Sequence, residues 1–227
     1  MASGFRLDEK VSMVCDSLLP MLRNDLRKVV DCTCAQHGRP DSAPNFTAAM
    51  LCLVACEVVG RLSSDANLDD DAATIAFLKC VAHEANDDRY RQAASALIAY
   101  FRNGIVHSFM PKQPSSVKAC VKWAQVSGGS AGVCVDQLCG PGGAAMLAEL
   151  RARHLEVAEV KNEKLFVLVP QVIYVDIVRA IDAFEQAIRA RGADTLSRLD
   201  EGFERWWGRA SSIKGLDQAA RAYLGIP

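Results

Sequence analysis

An arginine and a histidine five positions apart carry the chemistry that this sequence offers. Arg102 is followed directly by Asn103, and His107 comes after three further residues. Imidazole titrates with an ordinary pKa of about 6.5, so His107 suits general acid–base work near neutral pH. A guanidinium binds phosphate oxygens through paired hydrogen bonds, so Arg102 suits the stabilisation of charge on a phosphate. These residue types fit the attack of an RNA 2′-hydroxyl on its own phosphate.

Helical spacing decides which of these side chains share a face. Residues five apart differ by about 140° around an α-helix axis, so Arg102 and His107 are not stacked neighbours. Asn103 and His107 are four apart and share a face, with Tyr100 one turn further back. We therefore expect Asn103 to orient the imidazole. Arg91 precedes Arg102 by eleven residues, close to a whole number of turns, and is expected on the same stripe.

The segment 99–109, AYFRNGIVHSF, resembles the signature of the HEPN superfamily. Metal-independent ribonucleases of that superfamily carry Arg, a polar residue, a short spacer and His near the end of a helix in an all-α bundle. The resemblance covers the motif and, more loosely, the helical layout of residues 7–110 and the helix from Ile173. It does not account for the rest of the chain.

The resemblance implies a homodimer in which two such helices form one composite site with two copies of Arg102 and His107. It implies cleavage to a 2′,3′-cyclic phosphate and a 5′-hydroxyl without metal. The bacterial defence or toxin setting, with an antitoxin or defence-complex partner, also comes from the resemblance. HEPN toxins paired with a nucleotidyltransferase antitoxin often carry Tyr two residues after the His. This chain has Phe109 there, so nucleotidylation at that position is not expected.

Two other functions stay open on the same residues. Arg102 as a surface arginine and His107 as a helix C-terminal residue favoured by the dipole are the structural alternative. The chain is then a non-catalytic HEPN-like dimerisation or partner-binding module. A nucleotide-sensing domain with an Arg–His pocket is the third interpretation.

A basic stretch after the motif offers contacts for RNA. Lys112, Lys118 and Lys122 occur without an intervening acidic residue, and Trp123 adjoins the last of them. In a ribonuclease these lysines would contact phosphates and Trp123 would stack on a base. The alternative is a solvated loop followed by an amphipathic strand. These lysines join the preceding arginine and tyrosine as predicted RNA-binding residues: Arg91, Tyr100, Lys112, Lys118 and Lys122.

Composition limits the partners and the compartment. The 227 residues include 26 Lys and Arg against 27 Asp and Glu, for a formal net charge of −1. This balance excludes a histone-like binder, so an RNA site must be a local basic one. The longest apolar run, 48–59, is shorter than the roughly 20 residues of a membrane span. With no signal-peptide pattern at the N-terminus, we expect a cytoplasmic protein that does not enter a membrane.

The cysteines and acidic residues do not predict a metal site. Nine cysteines include no CxxC pair and no histidine at a zinc-finger offset, so we expect reduced, mostly buried thiols in a cytosolic chain. The acidic run 69–71 lacks the spacing of an EF-hand and is expected to be a solvated loop or a helix N-terminus. No metal and no cofactor are therefore predicted.

Hydrophobic periodicity predicts a mainly α fold, an antiparallel helical bundle that the resemblance makes HEPN-like. Helices are expected over about 7–36, 46–63, 72–84, 89–110, 144–153, 173–191, 194–207 and 216–223. Within a single domain, 1–227, a β insertion at 117–169 is expected to contain a strand at 117–125 and a hairpin of 155–160 and 165–169.

Three residues are expected to shape the helix ends. Pro20 should kink or break the first helix. Asp87 should cap the helix that starts at Arg89. Gly192 should end the helix from Ile173 as its C′ residue.

Overall fold

The computed structural model describes residues 4–35, 45–65, 68–102, 118–121, 133–160 and 162–210. The prediction of a mainly α fold with a small β-hairpin is confirmed. Two π-helical segments, Met13–Leu18 and Leu97–Arg102, join α1 to α2 and extend α5, respectively. The helices are α1 Leu7–Ser12, α2 Leu19–Ala35, α3 Asn45–Ser63, α4 Asp70–Ala85, α5 Arg89–Ala96, α6 Val135–Cys139, α7 Gly143–Arg153, α8 Pro170–Arg189 and α9 Ala193–Ala210. The strands are β1 Lys118–Val121, β2 Val157–Val160 and β3 Glu163–Leu168.

Helix α3 is the centre of the bundle. It packs against α2, α4, α8 and α9, and a helix covered on so many sides must be apolar nearly all round. Two glycines allow the close approach of its neighbours. A Cβ on Gly60 would meet the Ala73 carbonyl oxygen at 2.3 Å, and one on Gly202 would meet the Arg61 oxygen at 2.4 Å. The backbones of α4 and α9 therefore lie directly against α3.

Pro20 widens the first helix instead of breaking it. The chain stays helical from Leu7 to Ala35, with the π-helical segment Met13–Leu18 immediately before α2. A proline ring clashes with the carbonyl four residues earlier, here that of Asp16. The wider π-helical turn lies at that place. The predicted distortion is therefore present as a π-helical turn.

The β insertion forms a three-stranded sheet of order β1-β3-β2. β2 and β3 form the predicted hairpin, with Val160 opposite Glu163 and Asn162 at a left-handed φ of +64°. β1 lies within the strand predicted at 117–125, and it pairs with β3 in parallel, an arrangement that the sequence did not indicate. The Phe166 ring of β3 lies 5.7 Å from that of Phe101, so the sheet covers the end of the α5 extension.

The predicted cap at Asp87 is wrong by one residue. The N-cap of α5 is Asp88, which makes no side-chain capping bond. Asp87 is buried, and its carboxylate accepts the Arg89 backbone N–H at 3.2 Å. The same carboxylate pairs with the guanidinium groups of Arg89 and Arg151, which hold it inside the fold.

Both predicted ends of α8 also differ from the structure. The helix starts at Pro170, three residues before Ile173, because a proline suits the first turn of a helix. It ends at Arg189, and the left-handed residue after it is Arg191, at φ +55°, instead of Gly192. A left-handed non-glycine residue costs roughly 1–2 kcal/mol, so the sequence favoured the glycine.

Aromatic packing places α9 against the N-terminal segment. Trp206 and Trp207 contact the Phe203 ring, and Phe5 lies edge-on to Phe203 and Trp207. These tryptophans are helix-packing residues. The predicted helix at 216–223 lies outside the described residues. Among the described helices, none is both long enough and apolar enough to cross a membrane.

The thiols are only partly buried. Cys15, Cys52 and Cys56 are buried and free, and burial raises the pKa of the Cys52 thiol to about 12. Cys80 and Cys139 are exposed, contrary to the expectation of core filling. The residues around a cysteine in an amphipathic helix do not by themselves indicate whether that thiol is exposed or buried.

Candidate functional site

Arg102 is held at the end of the α5 extension. The π-helical segment Leu97–Arg102 buries Leu97, Ile98 and Phe101 in the core. Those apolar anchors determine the direction of the backbone at Arg102. The segment packs on α3, so the arginine side chain meets residues of the central helix.

Two carboxylates bind the Arg102 guanidinium. Its Nε donates to Glu57 Oε2 at 3.0 Å, its Nη2 also binds Glu57, and its Nη1 donates to Asp71 Oδ1 at 2.9 Å. Glu57 comes from the middle of α3 and Asp71 from the first turn of α4. The Arg102 side chain is 16% exposed, against 15% for Glu57 and 52% for Asp71. The arginine therefore joins three helices at the edge of the surface.

A second arginine extends this cluster. Arg61 binds Glu57 one turn along α3 and reaches Asp70 at the start of α4. Glu57, Arg61, Asp70, Asp71 and Arg102 form what we call the Arg102 network, with two positive and three negative charges. The hydrogen bonds of the network orient the Arg102 guanidinium. Because the carboxylates outnumber the guanidiniums, the network also offsets its positive charge.

The acidic run at 69–71 is a helix N-terminus, as expected. The Asp69 carboxylate caps α4 by accepting the Ala72 backbone N–H at 2.7 Å. Asp70 and Asp71 occupy the first turn, where the helix dipole favours negative charge. This local preference brings Asp71 to the place where it meets the motif arginine.

Tyr100 lies on a different face from Arg102. It is half-buried and lines a groove of about 300 Å³ with Ala93 and Ala96 of α5 and Val157 and Phe166 of the sheet. Residues two apart on a helix do not face each other, which explains the separation. The structure therefore places Tyr100 beside the sheet and away from the Arg102 network.

Arg91 is exposed and pairs with Asp88 at 2.8 Å. It lines a depression with His83 at the C-terminal end of α4, whereas Asp71 and Arg102 meet at the N-terminal end. Asp71 and His83 are twelve residues apart, or about 18 Å along the helix. Arg91 and Arg102 therefore cannot bind the same phosphate.

The remaining predicted site residues are not placed by the structure. Asn103, His107, Lys112 and Lys122 lie outside the described residues. The Lys118 backbone begins β1 opposite Leu165, and its side chain is outside the described part.

Sequence reasoning missed a buried polar cluster between α5, α7 and α8. Asp176 is fully buried, accepts the Tyr90 hydroxyl at 2.8 Å and binds both Nη atoms of Arg151. Burial raises the pKa of Asp176, although Arg151 opposes that shift. Arg89 of α5 donates to the Arg151 carbonyl at 2.9 Å. An aspartate between valine and isoleucine on an apolar helix was the signal for this cluster.

His154 lies in the interior of the fold, directly after α7. It is completely buried, and its Nδ1 accepts the Val169 backbone N–H at 3.0 Å. Its Nε2 therefore carries the proton, and that atom has no hydrogen-bond partner among the described residues. Burial, with the nearby Arg89 and Arg151, lowers its pKa to about 3. This imidazole is therefore neutral at pH 7. Because it is completely buried, it does not offer a proton donor or acceptor at the surface.

Comparison of this chain with protein-family models, curated proteins and solved structures finds no match. Within the described ranges, no group of three or more His, Cys, Asp or Glu residues is arranged to hold a metal ion.

Proposed function

We propose that the protein is a metal-independent endoribonuclease of the HEPN type, in which Arg102 and His107 act on one RNA phosphate. The observation that carries this proposal is the fixed orientation of the Arg102 guanidinium by Glu57 and Asp71 at the end of a bundle helix. A guanidinium ordered before substrate binds has already lost its side-chain freedom on folding. Less free energy is then needed to position it on the phosphate.

In the proposed reaction, the ribose 2′-oxygen attacks the adjacent phosphorus and the bond from phosphorus to the 5′-oxygen breaks. One His107 takes the proton from the 2′-hydroxyl, and the second copy of His107 in a homodimer gives a proton to the leaving 5′-oxygen. Arg102 stabilises charge on the non-bridging oxygens, and Asn103 orients the imidazole. The products are a 2′,3′-cyclic phosphate and a 5′-hydroxyl.

The network around Arg102 gives Glu57 and Asp71 positioning roles in this proposal. Their carboxylates orient the guanidinium but also repel an approaching phosphate. Arg91 of α5 lies beside His83, about 18 Å along α4 from Asp71, and would bind a phosphate several nucleotides away. Tyr100 and the lysines Lys112, Lys118 and Lys122 would contact RNA elsewhere along its path. The proposed setting is a cytoplasmic defence or toxin system with an antitoxin or defence-complex partner.

Cleavage of end-labelled RNA by purified protein in EDTA is the direct test. Arg102→Ala and His107→Ala are each expected to lower the cleavage rate by about 100-fold or more. Arg198→Ala is the matched control, because its side chain is largely exposed and lies outside the network. Absence of cleavage by the wild type, or equal rates in all variants, would refute the proposal.

The role of Arg102 in the fold requires a second measurement. Since its side chain ties three helices together, Arg102→Ala is also expected to lower the thermal unfolding midpoint. His107→Ala tests the cleavage chemistry independently of the Arg102 ion pairs. The chemical end groups of the RNA products test it in a second way. Fragments that end in a 3′-phosphate without a cyclic intermediate would contradict the 2′-hydroxyl mechanism.

A second candidate function follows from the limited exposure of Arg102. At 16% exposure and bound by two carboxylates, this arginine already has a structural role that needs no substrate. The chain is then a non-catalytic HEPN-like dimerisation or partner-binding module. Under this function, neither the wild type nor any variant cleaves RNA. Ala99→Asp, on the exposed side of the α5 extension, is then expected to disrupt the oligomer measured by sedimentation equilibrium.

A further inference from the structure

A cavity of about 640 Å³ opens between α2, α6, α7 and α8, with Ala85 at the end of α4 also in its wall. None of the five residues of the Arg102 network lines it. Its volume is within the range of sites that hold small organic ligands, about 300–1,000 Å³. The cavity is therefore a candidate site separate from the Arg102 network.

Apolar side chains form most of the cavity wall. Leu138 of α6, Leu147 of α7, and Val175 and Val178 of α8 line it, together with the largely buried ring of Tyr174. A ligand that covers these side chains removes apolar surface from water, which favours binding. The wall therefore suits a ligand with an apolar, ring-sized body.

Most charged groups in the wall already have an opposite charge beside them. Arg27 binds Asp136 and lies 3.5 Å from Asp31. Asp182 binds Arg23 at 2.9 Å across the gap between α8 and α2. Each of these guanidiniums binds two carboxylates, since Arg23 also pairs with Glu185, so neither arginine is left to pair with a ligand.

The arginines of α7 and α8 differ in this respect. Arg151 binds Asp176 and also approaches Asp87 at 3.5 Å, so its charge is matched. Arg179 is exposed, lines the cavity and makes no ion pair within the part of the chain that the structure describes. Burial raises the pKa of Asp176, and the charge of Arg179 opposes that rise through space. Among the described residues, Arg179 is therefore the cation of the wall that is left to pair with an anionic ligand.

Hydrogen bonds and ion pairs within the chain hold the cavity wall in place. Arg151 binds Asp176 through both Nη atoms, and Asp176 also accepts the Tyr90 hydroxyl. At the other side, the Val135 backbone N–H donates to Asp31 Oδ1 at 3.1 Å and ties α6 to α2. A preformed wall reduces the ordering entropy that binding must overcome.

We propose that this cavity binds a small amphipathic organic anion. The apolar body lies between Leu147 and Val178, and a carboxylate, sulfonate or phosphate group accepts hydrogen bonds from Arg179. The body contributes apolar contact, and the charged group supplies orientation through a charge-assisted hydrogen bond.

A matched pair of fluorescent probes tests the charge requirement. The dye 1-anilinonaphthalene-8-sulfonate has an apolar body with one anionic group, and N-phenyl-1-naphthylamine has a closely similar body without it. Wild-type protein is expected to bind the sulfonate dye at one site and to bind the neutral dye more weakly. Arg179→Gln should weaken the sulfonate dye by about tenfold or more and leave the neutral dye unchanged.

Two further variants separate the cavity from the general surface. Ala148→Trp places an indole at the cavity wall and is expected to weaken both dyes. Arg153→Gln is the control for Arg179→Gln, since Arg153 ends α7 beside the cavity-lining residues, is 53% exposed and does not itself line the cavity. A cooperative thermal transition in every variant excludes dye binding to a partly unfolded state.

The proposal is overturned if wild-type protein binds neither dye or binds both equally. It is also overturned if Arg179→Gln leaves the sulfonate dye unaffected, or if Arg153→Gln weakens it as much. Arg179→Lys keeps the charge and should retain part of the affinity, whereas loss equal to that of the glutamine variant contradicts a charge-based contact. RNA cleavage is measured separately, so its absence leaves this test intact.

Discussion

Mild acid is expected to destabilise the fold through one buried histidine. His154 is completely buried, and burial with Arg89 and Arg151 lowers its pKa from 6.5 to about 3. The folded state therefore binds this proton much less readily than the unfolded chain. The contribution of His154 to stability is fully present above pH 6.5. It falls as the pH drops from 6.5 toward 3, because the unfolded chain then binds a proton at this imidazole and the folded state does not.

The size of the effect follows from these two pKa values. Linkage for one site gives a loss of about 2 kcal/mol in the free energy of unfolding at pH 5.0 relative to pH 7.5. Below pH 3 the loss reaches its upper bound of about 5 kcal/mol. A domain of this kind has a total stability of roughly 5–15 kcal/mol, so the change at pH 5.0 is readily measured.

Urea unfolding at several pH values, for wild type and His154→Asn, is the assay. The asparagine oxygen lies near the position of Nδ1 and keeps an acceptor for the Val169 N–H, but it does not titrate. Tryptophan fluorescence reports unfolding because Trp206 and Trp207 pack in the aromatic cluster of α9. The smaller side chain lowers stability by a similar amount at every pH, so the difference in pH dependence isolates the imidazole.

Wild type is expected to lose about 2 kcal/mol more than His154→Asn between pH 7.5 and 5.0. Parallel curves for the two proteins would refute the reasoning. An imidazole signal of His154 that titrates near pH 6.5 in the folded protein would refute it independently. Either result would mean that the side chain reaches water in the native state.

Three further expectations concern other parts of the molecule. Asp71→Asn removes one of the carboxylates that oppose phosphate, so RNA affinity should rise severalfold in filter binding, and the exposed control Asp65→Asn should not change it. Arg151→Met leaves Asp176 buried without its cation and should cost about 3–5 kcal/mol in urea unfolding; a loss below about 1 kcal/mol contradicts the ion pair. Gly60→Ala places a Cβ 2.3 Å from an α4 backbone oxygen, so it should lower the thermal midpoint and reduce the free energy of unfolding by about 1–3 kcal/mol. An unchanged midpoint would contradict the close helix contact.

Local sequence patterns were sufficient for most helices. The nearly continuous apolar run of α3 and the acidic first turn of α4 are properties of neighbouring residues, and the structure contains these elements close to the predicted bounds. The ends were less predictable. Asp87 was a correct capping residue by type, but two guanidiniums from separate segments bind its carboxylate. A local pattern contains no information on those distant partners.

The candidate site shows the same division. The spacing of Arg102 and His107 and their predicted chemistry come from the sequence alone, and that chemistry remains a prediction. The partners of Arg102 are 45 and 31 residues away in the chain. No pattern in the sequence indicated that Glu57 and Asp71 would meet this arginine, because their contact depends on how α3, α4 and α5 pack.

The sequence by itself determined a helical chain with a small hairpin, a near-neutral charge and one motif suited to RNA chemistry. Only the tertiary structure decided that the motif arginine lies among carboxylates and that Arg179 faces a separate cavity. It also decided that β1 joins the hairpin as a parallel strand. The physical reason is that helix formation follows from short-range periodicity, whereas charge pairing and cavities depend on long-range packing between elements.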